Sequence, residues 1–334
     1  MSLASFLYAA VARERRQWYA RRPGWRHKLA RPVVSVGNVA VGGSGKTPAV
    51  SHIARLLQNA GQRPAILTRG YARALPSDGV TVVSDGQRLL ADLDLAGDEP
   101  LMLARQLPTV PVLVSSDRYL AGRLAERHFG CTVHVLDDGF QHFQLERDLD
   151  LVLLSPEDVE RPVTLPSGRL REPLDAVRRA SAVIVSDADD AQAAAVGGAV
   201  GVSTVFRLRR VLDRPRLIDP AGRIVFPAAG TRVLAVAGLA RPERFFVALA
   251  SEGWNVADHL VFRDHHRYTV ADIDRIVAAM RAARAVMVLT TEKDLARMLP
   301  LCPLPVPVAW VPLIVSIEPA REFGAWLLAR LAQM

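Results

Sequence analysis

The sequence predicts an α/β protein with one large lobe built on a mainly parallel sheet and a second, smaller α/β lobe. Three observations carry that reading. From residue 32 onward short apolar runs alternate with helical patterns, the order produced by strand–helix–strand units. A glycine-rich turn lies between the first such run and the first helical stretch. A separate strand and helix alternation begins near residue 233. Composition agrees: 334 residues, 50% hydrophobic and 23% charged, exclude a disordered or fibrous chain. No apolar run reaches the roughly 18 residues of a membrane span. Cys131 and Cys302 are far apart and lack metal-ligand spacing, which excludes a disulfide scaffold or a structural zinc site.

The first element is an N-terminal helix in which Leu3, Phe6, Leu7, Ala10 and Val11 form a stripe opposite Ser2, Ser5, Ala9, Arg13 and Arg16. Between Arg13 and Arg31 stand Arg13, Arg15, Arg16, Arg21, Arg22, Arg26, Lys28 and Arg31, eight cations that match in number the whole net charge of +8, opposed only by Glu14. With Trp18, Tyr19 and Trp25 interleaved, the segment suits a membrane headgroup layer. Two other readings compete: a nucleic-acid patch, and a solvated helix packed on the domain by its apolar stripe. The cations follow the apolar stretch, which fits a cleaved signal peptide poorly.

Strands are predicted at Val33 to Val36, Ala65 to Thr68, Val110 to Val114, Thr132 to Leu136, Leu149 to Leu154 and Ala182 to Val185, with helices at Thr47 to Ala60, Asp98 to Gln106, Asp117 to Phe129 and Pro173 to Arg179. Asp187 to Gly201, rich in Ala, Asp and Gly, reads as a flexible surface segment. The second lobe is expected to hold strands at Val233 to Val236, His259 to Phe262 and Val286 to Leu289, with helices at Pro242 to Glu252 and Val270 to Ala283. Extended segments Val205 to Val211 and Val306 to Ile317 bracket it as a two-stranded connection, and a last helix, Glu318 to Gln333, returns to the first lobe. The expected domains are therefore residues 1–204, residues 205–317 with the linker strands, and residues 318–334.

The most specific motif follows the first strand: Gly42-Gly43-Ser44-Gly45-Lys46-Thr47-Pro48. Glycines let backbone N–H groups converge on phosphate oxygens, Lys46 can reach the β- and γ-phosphates, and the Thr47 hydroxyl can ligate Mg²⁺. The strict pattern would place glycine where this chain has Ala40. These features predict a P-loop NTPase-type lobe binding a nucleoside triphosphate. A second strand ends in Asp137-Asp138-Gly139-Phe140-Gln141-His142, and both aspartates are Mg²⁺ candidates.

Together with Arg69-Gly70-Tyr71, Gly97-Asp98-Glu99-Pro100, Ser116-Asp117-Arg118, Leu170-Arg171-Glu172-Pro173, Asp264-His265-His266 and Thr291-Glu292-Lys293-Asp294, these blocks resemble the tetraacyldisaccharide 4'-kinase family of lipid A biosynthesis over nearly the whole chain. The resemblance implies transfer of the γ-phosphoryl group of ATP to the 4'-hydroxyl of an acylated disaccharide 1-phosphate. It implies Asp98 as the base accepting the hydroxyl proton, with His265 as its partner from the second lobe; His266, adjacent, stays open for that role. Glu172 is a further candidate for the metal or phosphate shell, or else a salt-bridge residue. Arg69, Arg118, Gln141 and His142 are the candidates for recognising the phosphosugar. Thr291 to Asp294 has no assigned step and reads as a capped helix start. The family places the protein on the cytoplasmic face of the inner membrane, held by the N-terminal helix.

Three alternatives stay open: a P-loop kinase with another acceptor, a non-enzymatic nucleotide switch, and a nucleic-acid binder. The switch lacks a guanine-reading block, since Lys293-Asp294-Leu295 puts leucine where an aspartate is needed. The expectation is no nucleic-acid partner, because no zinc-finger spacing or second basic stripe accompanies the N-terminal cations.

Overall fold

A computed structural model describes residues 2–42, 45–70, 73–75, 78–218 and 223–334. The chain forms two compact units, Met1–Arg209 with Val315–Met334, and Arg210–Ile314. Its strands in chain order are β1 (Val33–Asn38), β2 (Pro64–Thr68), β3 (Thr81–Asp85), β4 (Pro111–Val114), β5 (Val133–Asp137), β6 (Leu149–Leu154), β7 (Ala182–Ser186), β8 (Val205–Leu212), β9 (Leu217–Ile218), β10 (Ile224–Val225), β11 (Arg232–Ala237), β12 (Asn255–Val261), β13 (Met287–Thr291), β14 (Val308–Val311) and β15 (Leu313–Glu318).

The larger sheet has the order β15-β8-β7-β6-β1-β5-β2-β4-β3. Strands β1, β2, β4, β5, β6, β7 and β8 pair in parallel, and β3 closes one edge antiparallel to β4. Every residue of β1 is buried, as expected of a parallel strand covered on both faces. Alternate residues feed different cores. Val34 and Val36 join Ile66, Val135 and the helix residues Ile53 and Leu57 on one face. Val33, Ala65, Leu67 and Leu136 join Leu29 and Cys131 on the other. Burial pushes the Cys131 thiol up to about 12, so it is a packing residue. The helix Ala320–Leu331 sets Phe323 and Leu327 into the first of these cores, with the Phe323 ring 5.0 Å from Phe206 in an edge contact.

Four sequence expectations are corrected. Asp187 to Gly201 is not a loose segment, since it forms the helix Asp190–Val200 with an Asp189/Gln192 capping box. Ala193, Val196, Gly197 and Val200 recur at helical spacing and are buried, a stripe that its small side chains disguise. The stretch Leu174–Arg179 is a 3₁₀ turn rather than an α-helix. The extended Val306 to Ile317 splits at Pro312, so that β14 pairs with β13 while β15 borders β8. The strand starting at His259 begins earlier, at Asn255.

The N-terminal helix Leu3–Arg21 docks by the face opposite to its apolar stripe. Ser5 and Ala9 are buried, whereas Leu3, Phe6, Leu7 and Val11 are 76%, 55%, 56% and 69% exposed. The Thr164 hydroxyl donates to the Ser5 carbonyl at 2.8 Å, and Ser167 N donates to Ser5 Oγ at 3.2 Å. No described helix is long and apolar enough to cross a membrane.

The smaller unit has a parallel sheet, β12-β11-β13-β14. Val233, Ala235 and Ala237 of β11 face a core with Phe245 and Leu249, while Leu234 and Val236 face Phe262, Ile273 and Ile276.

Gly37 lets β1 approach the Asp137–His142 turn, because a Cβ there would lie 2.5 Å from Phe140 Cβ and 2.7 Å from its backbone nitrogen. The backbone atom cannot swing aside. Gly37→Ala is therefore expected to lose ~1–3 kcal/mol, read as a lower thermal unfolding midpoint; an unchanged midpoint would contradict the close packing.

Candidate functional site

The phosphate loop leaves β1 at Asn38. Gly42 and Gly45 take positive φ, 104° and 84°, which glycine adopts without strain, and Gly45 caps the helix Lys46–Asn59. That helix has no acidic residue in its first turn, so no carboxylate of its own offsets the positive dipole end. Pro48 sits where its missing N–H costs no hydrogen bond. Gly43 and Ser44, expected in the same cradle, lie outside the described residues. Ala40, where the strict motif has glycine, is buried and bridged antiparallel to Leu170. Val41 N donates to the Arg169 carbonyl at 2.8 Å, so the flank of the loop is stitched to Thr164–Arg171.

Lys46 reaches back over the loop: Nζ donates to Asn38 Oδ1 at 2.9 Å and lies 3.5 Å from Asp138. Arg171 completes the group. It holds both Asp138 oxygens, at 2.8 and 2.9 Å, and also meets the Asn38 side chain. Burial would raise the Asp138 carboxyl, but the Arg171 hydrogen bonds and the Lys46 charge outweigh it and hold the group down at about 2. Asp137 is the opposite case. It is buried, accepts one bond from Thr68 Oγ1 at 3.1 Å, and is pushed up to about 7 by burial and then by the charges of Glu99 and Asp138. Thr47 is buried at the helix start.

Asp98 is the buried first residue of the helix Asp98–Gln106, and its Oδ1 accepts from Glu99 N at 3.0 Å. The charge of Glu99 acts on Asp137, which ties this helix start to the end of β5. Arg118 opens the helix Arg118–Phe129 and is buried; burial and then the charge of Arg69 lower it to about 10. His142 is pushed down to about 3 by burial, then by Arg118, Arg147, Arg15 and Arg69. Arg118 Nε and His142 Nε2 are buried without a hydrogen-bond partner among the described residues. Gln141 Nε2 donates to the Asn38 carbonyl at 2.9 Å. Of the candidates for phosphosugar recognition, Arg69, Arg118 and His142 share one electrostatic neighbourhood, and Gln141 borders the phosphate loop.

Glu172 faces the N-terminal helix. Its carboxylate pairs with Arg16 at 2.6 Å, and the Arg16 guanidinium lies 4.5 Å from the Phe140 ring centre and 4.8 Å from that of Phe143. In the smaller unit His265 has φ 56°, and Arg297 Nη2 lies 3.3 Å from its Nδ1. His266 bonds Asp272 at 3.0 Å and stacks on Phe262.

Sequence reasoning missed Asn38, Glu99 and Arg171 as site residues. Arg171 and Glu99 stood inside quoted motifs, next to Glu172 and Asp98, and that adjacency was the available signal. Asn38 carried none beyond its place at a strand end. Among the described residues no group of three or more His, Cys, Asp or Glu side chains is arranged to hold a metal.

His142 stays neutral in the fold at pH values where the unfolded chain protonates its histidine. Its contribution to stability is complete above about 6.5 and is lost as pH falls toward about 3. Across that window the pH slope of unfolding free energy is expected to be shallower in His142→Asn, by up to about 1.4 kcal/mol per pH unit. Denaturant titrations at several pH values read this directly, and parallel slopes would contradict it.

Comparison with known proteins places the chain in a family. The model of the Tetraacyldisaccharide-1-P 4'-kinase family matches residues 1–332. The tetraacyldisaccharide 4'-kinase of Geobacter metallireducens is 40% identical over 306 residues, covering 90% of this chain and 88% of the relative. That of Koribacter versatilis is 41% identical over 302 residues, covering 88% and 87%. A crystal structure of LpxK from Aquifex aeolicus in complex with ATP superposes with a TM-score of 0.78 at 32% identity, covering 98% of this chain and 97% of that one. The chain belongs to the tetraacyldisaccharide-1-P 4'-kinase family.

Proposed function

We propose that the protein transfers the γ-phosphoryl group of ATP to the 4'-hydroxyl of a tetraacylated disaccharide 1-phosphate. The observation that supports this most is the gathering, around one loop and one strand end, of Lys46, Asp137, Asp138 and Arg171 beside the cationic Arg69 and Arg118. In the reaction the hydroxyl oxygen forms a bond to the γ-phosphorus, the bond to the β-bridging oxygen breaks, and ADP leaves. A sugar hydroxyl needs a proton acceptor, and Asp98 takes that role with His265 as its partner. Lys46 and the N-terminus of its helix bear the phosphate charge. Arg118 and Arg69 supply guanidinium forks for the sugar phosphate, and neutral His142 and Gln141 supply polar contacts.

Magnesium fits part of the donor set. Thr47 offers a buried hydroxyl and Asp137 a buried carboxylate bonded to the Thr68 hydroxyl, the small protein share that Mg²⁺ takes beside phosphate oxygens. Asp138, already bonded to Arg171, and Glu172, paired with Arg16, would border that shell. When bound, the ion would neutralise charge on the transferring phosphate.

The N-terminal helix is proposed to lie on the cytoplasmic face of the inner membrane. Its exposed Leu3, Phe6, Leu7 and Val11 form the kind of apolar patch that marks a contact surface, and an acylated acceptor resides in such a surface.

Purified protein with Mg-ATP is expected to convert tetraacyldisaccharide 1-phosphate to its 4'-phosphate, detected by mass spectrometry. Absence of product from folded, ATP-binding protein would overturn the assignment. Asp98→Ala should lose about 10²–10⁴-fold in kcat, and near-wild-type turnover in both Asp98→Ala and His265→Ala would remove the pair. Replacing Leu3, Phe6 and Leu7 by serine, which spares the docked face, should weaken binding to anionic phospholipid vesicles by about tenfold or more with ATP affinity unchanged. Equal vesicle binding by the triple variant would refute the membrane role.

A further inference from the structure

The block Thr291-Glu292-Lys293-Asp294 has no part in the reaction as described, yet Thr291 and Asp294 are buried polar residues of the smaller unit. Strand β13 ends at Thr291, whose hydroxyl caps the helix Glu292–Met298 by accepting from Asp294 N at 3.1 Å. A cap would end there, but the Asp294 side chain is fully buried and collects three donors: the Thr291 hydroxyl at 2.7 Å, Gly238 N at 2.9 Å and Arg297 Nη1 at 3.1 Å. Arg297 is itself buried, and its Nη1 also donates to the Gly238 carbonyl at 3.0 Å. Gly238 is fitted to the pair, since a Cβ on it would lie 2.8 Å from Asp294 Oδ1.

Burying a carboxylate and a guanidinium is a poor way to gain stability, because apolar side chains of the same volume do as well or better. What the pair achieves is a donor held in a fixed place. The second terminal nitrogen of Arg297 lies 3.3 Å from Nδ1 of His265. A guanidinium has only donors, so Nδ1 must be the acceptor and the ring proton must sit on Nε2. A second tie fixes the backbone: His265 N donates to Asp264 Oδ1 at 2.9 Å, and Lys293 Nζ lies 4.0 Å from that same oxygen. His265 holds a left-handed φ of 56°, a conformation that such a local side-chain bond supports.

We propose that Lys293, Asp294 and Arg297 form a mount for His265. Asp294 anchors Arg297, Arg297 fixes the ring with Nδ1 as acceptor and the proton on Nε2, which lies 3.9 Å from Asp264 Oδ2, and Lys293 steadies the Asp264 side chain that sets the backbone. Arg297 is a positioning residue that acts through His265. The purpose of the mount rests on the role of His265 in phosphoryl transfer given above.

The test uses the full chain with ¹⁵N-labelled histidine, the His265 signals being assigned by their loss in His265→Asn. Wild-type protein should show His265 as the Nε2–H tautomer. Arg297→Met should give a tautomer mixture and lower kcat by up to about 10²-fold with little change in the KM for ATP, and Arg297→Lys should recover part of both. Because Arg297→Met leaves Asp294 without its cation, the double variant Asp294→Asn with Arg297→Met is measured beside it; unfolding midpoints establish that it folds, and the same tautomer and kcat changes are expected. An unmixed Nε2–H signal in the folded double variant would overturn the mount. So would wild-type kcat in that variant when His265→Ala is impaired. Wild-type kcat in His265→Ala would instead remove the catalytic reading on which the mount's purpose rests, while the tautomer measurement still reports on the mount itself.

Discussion

Asp137 and Asp138 stand at the end of one buried strand, and the chemistry of the site depends on their being unlike. The chain leaves the strand at Asp138 with a left-handed φ of 53°, which Asp tolerates better than most residues. Asp138 thereby meets Arg171 and Lys46 and is held ionised, while Asp137 stays in the interior bonded to the Thr68 hydroxyl. Two carboxylates with Glu99 close by would repel one another if both were bare. Arg171 relieves that repulsion, and the Leu170 bridge to Ala40 sets it at the flank of the phosphate loop. The loop, the acidic strand end and the Leu170–Pro173 segment are thus one electrostatic unit rather than three motifs.

Much of that unit was legible in the sequence because each part is local. Strand β1, the glycine turn and the start of the next helix follow from apolar run, breaker and Gly-Lys-Thr within one short stretch. The pairing of Arg171 with Asp138 was not legible, because it joins residues 33 positions apart in sequence through a single isolated bridge. The N-terminal helix shows a second limit. Periodicity divides a helix into two faces, and the apolar one is the usual choice for docking. Here Ser5 and Ala9 dock because they are small enough to let the helix approach Thr164 and Ser167 closely. The helix Asp190–Val200 failed for a related reason: alanine and glycine bury well in a tight interface but carry little hydrophobic signal.

The docked helix changes what the basic stretch means. Arg13 pairs with Asp175, Arg16 with Glu172 and Arg26 with Glu146, so three cations of the basic stretch are matched by acids elsewhere in the domain. Arg16 contributes most, since its partner is buried and its guanidinium lies against Phe140 and Phe143. Exposed pairs such as Arg13 with Asp175 contribute little by comparison. Arg16 therefore fastens the helix to Glu172 and to the Phe140 ring of the Asp137–His142 turn, and the apolar side chains are left facing outward.

That inversion links the proposed membrane contact to the proposed chemistry. A helix held by its apolar stripe would have to release it to meet lipid, losing burial of about 25 cal/mol for each Å² of apolar surface re-exposed. A helix held by Ser5, Ala9 and Arg16 can meet lipid with its fastening intact. Phe140 lies two residues beyond Asp138 and packs under Arg16, while Glu172 follows Arg171 directly in the chain. The same few residues thus fix the position of the helix and the position of the carboxylates, so the surface proposed to hold an acylated acceptor is built on the scaffold of the phosphate site.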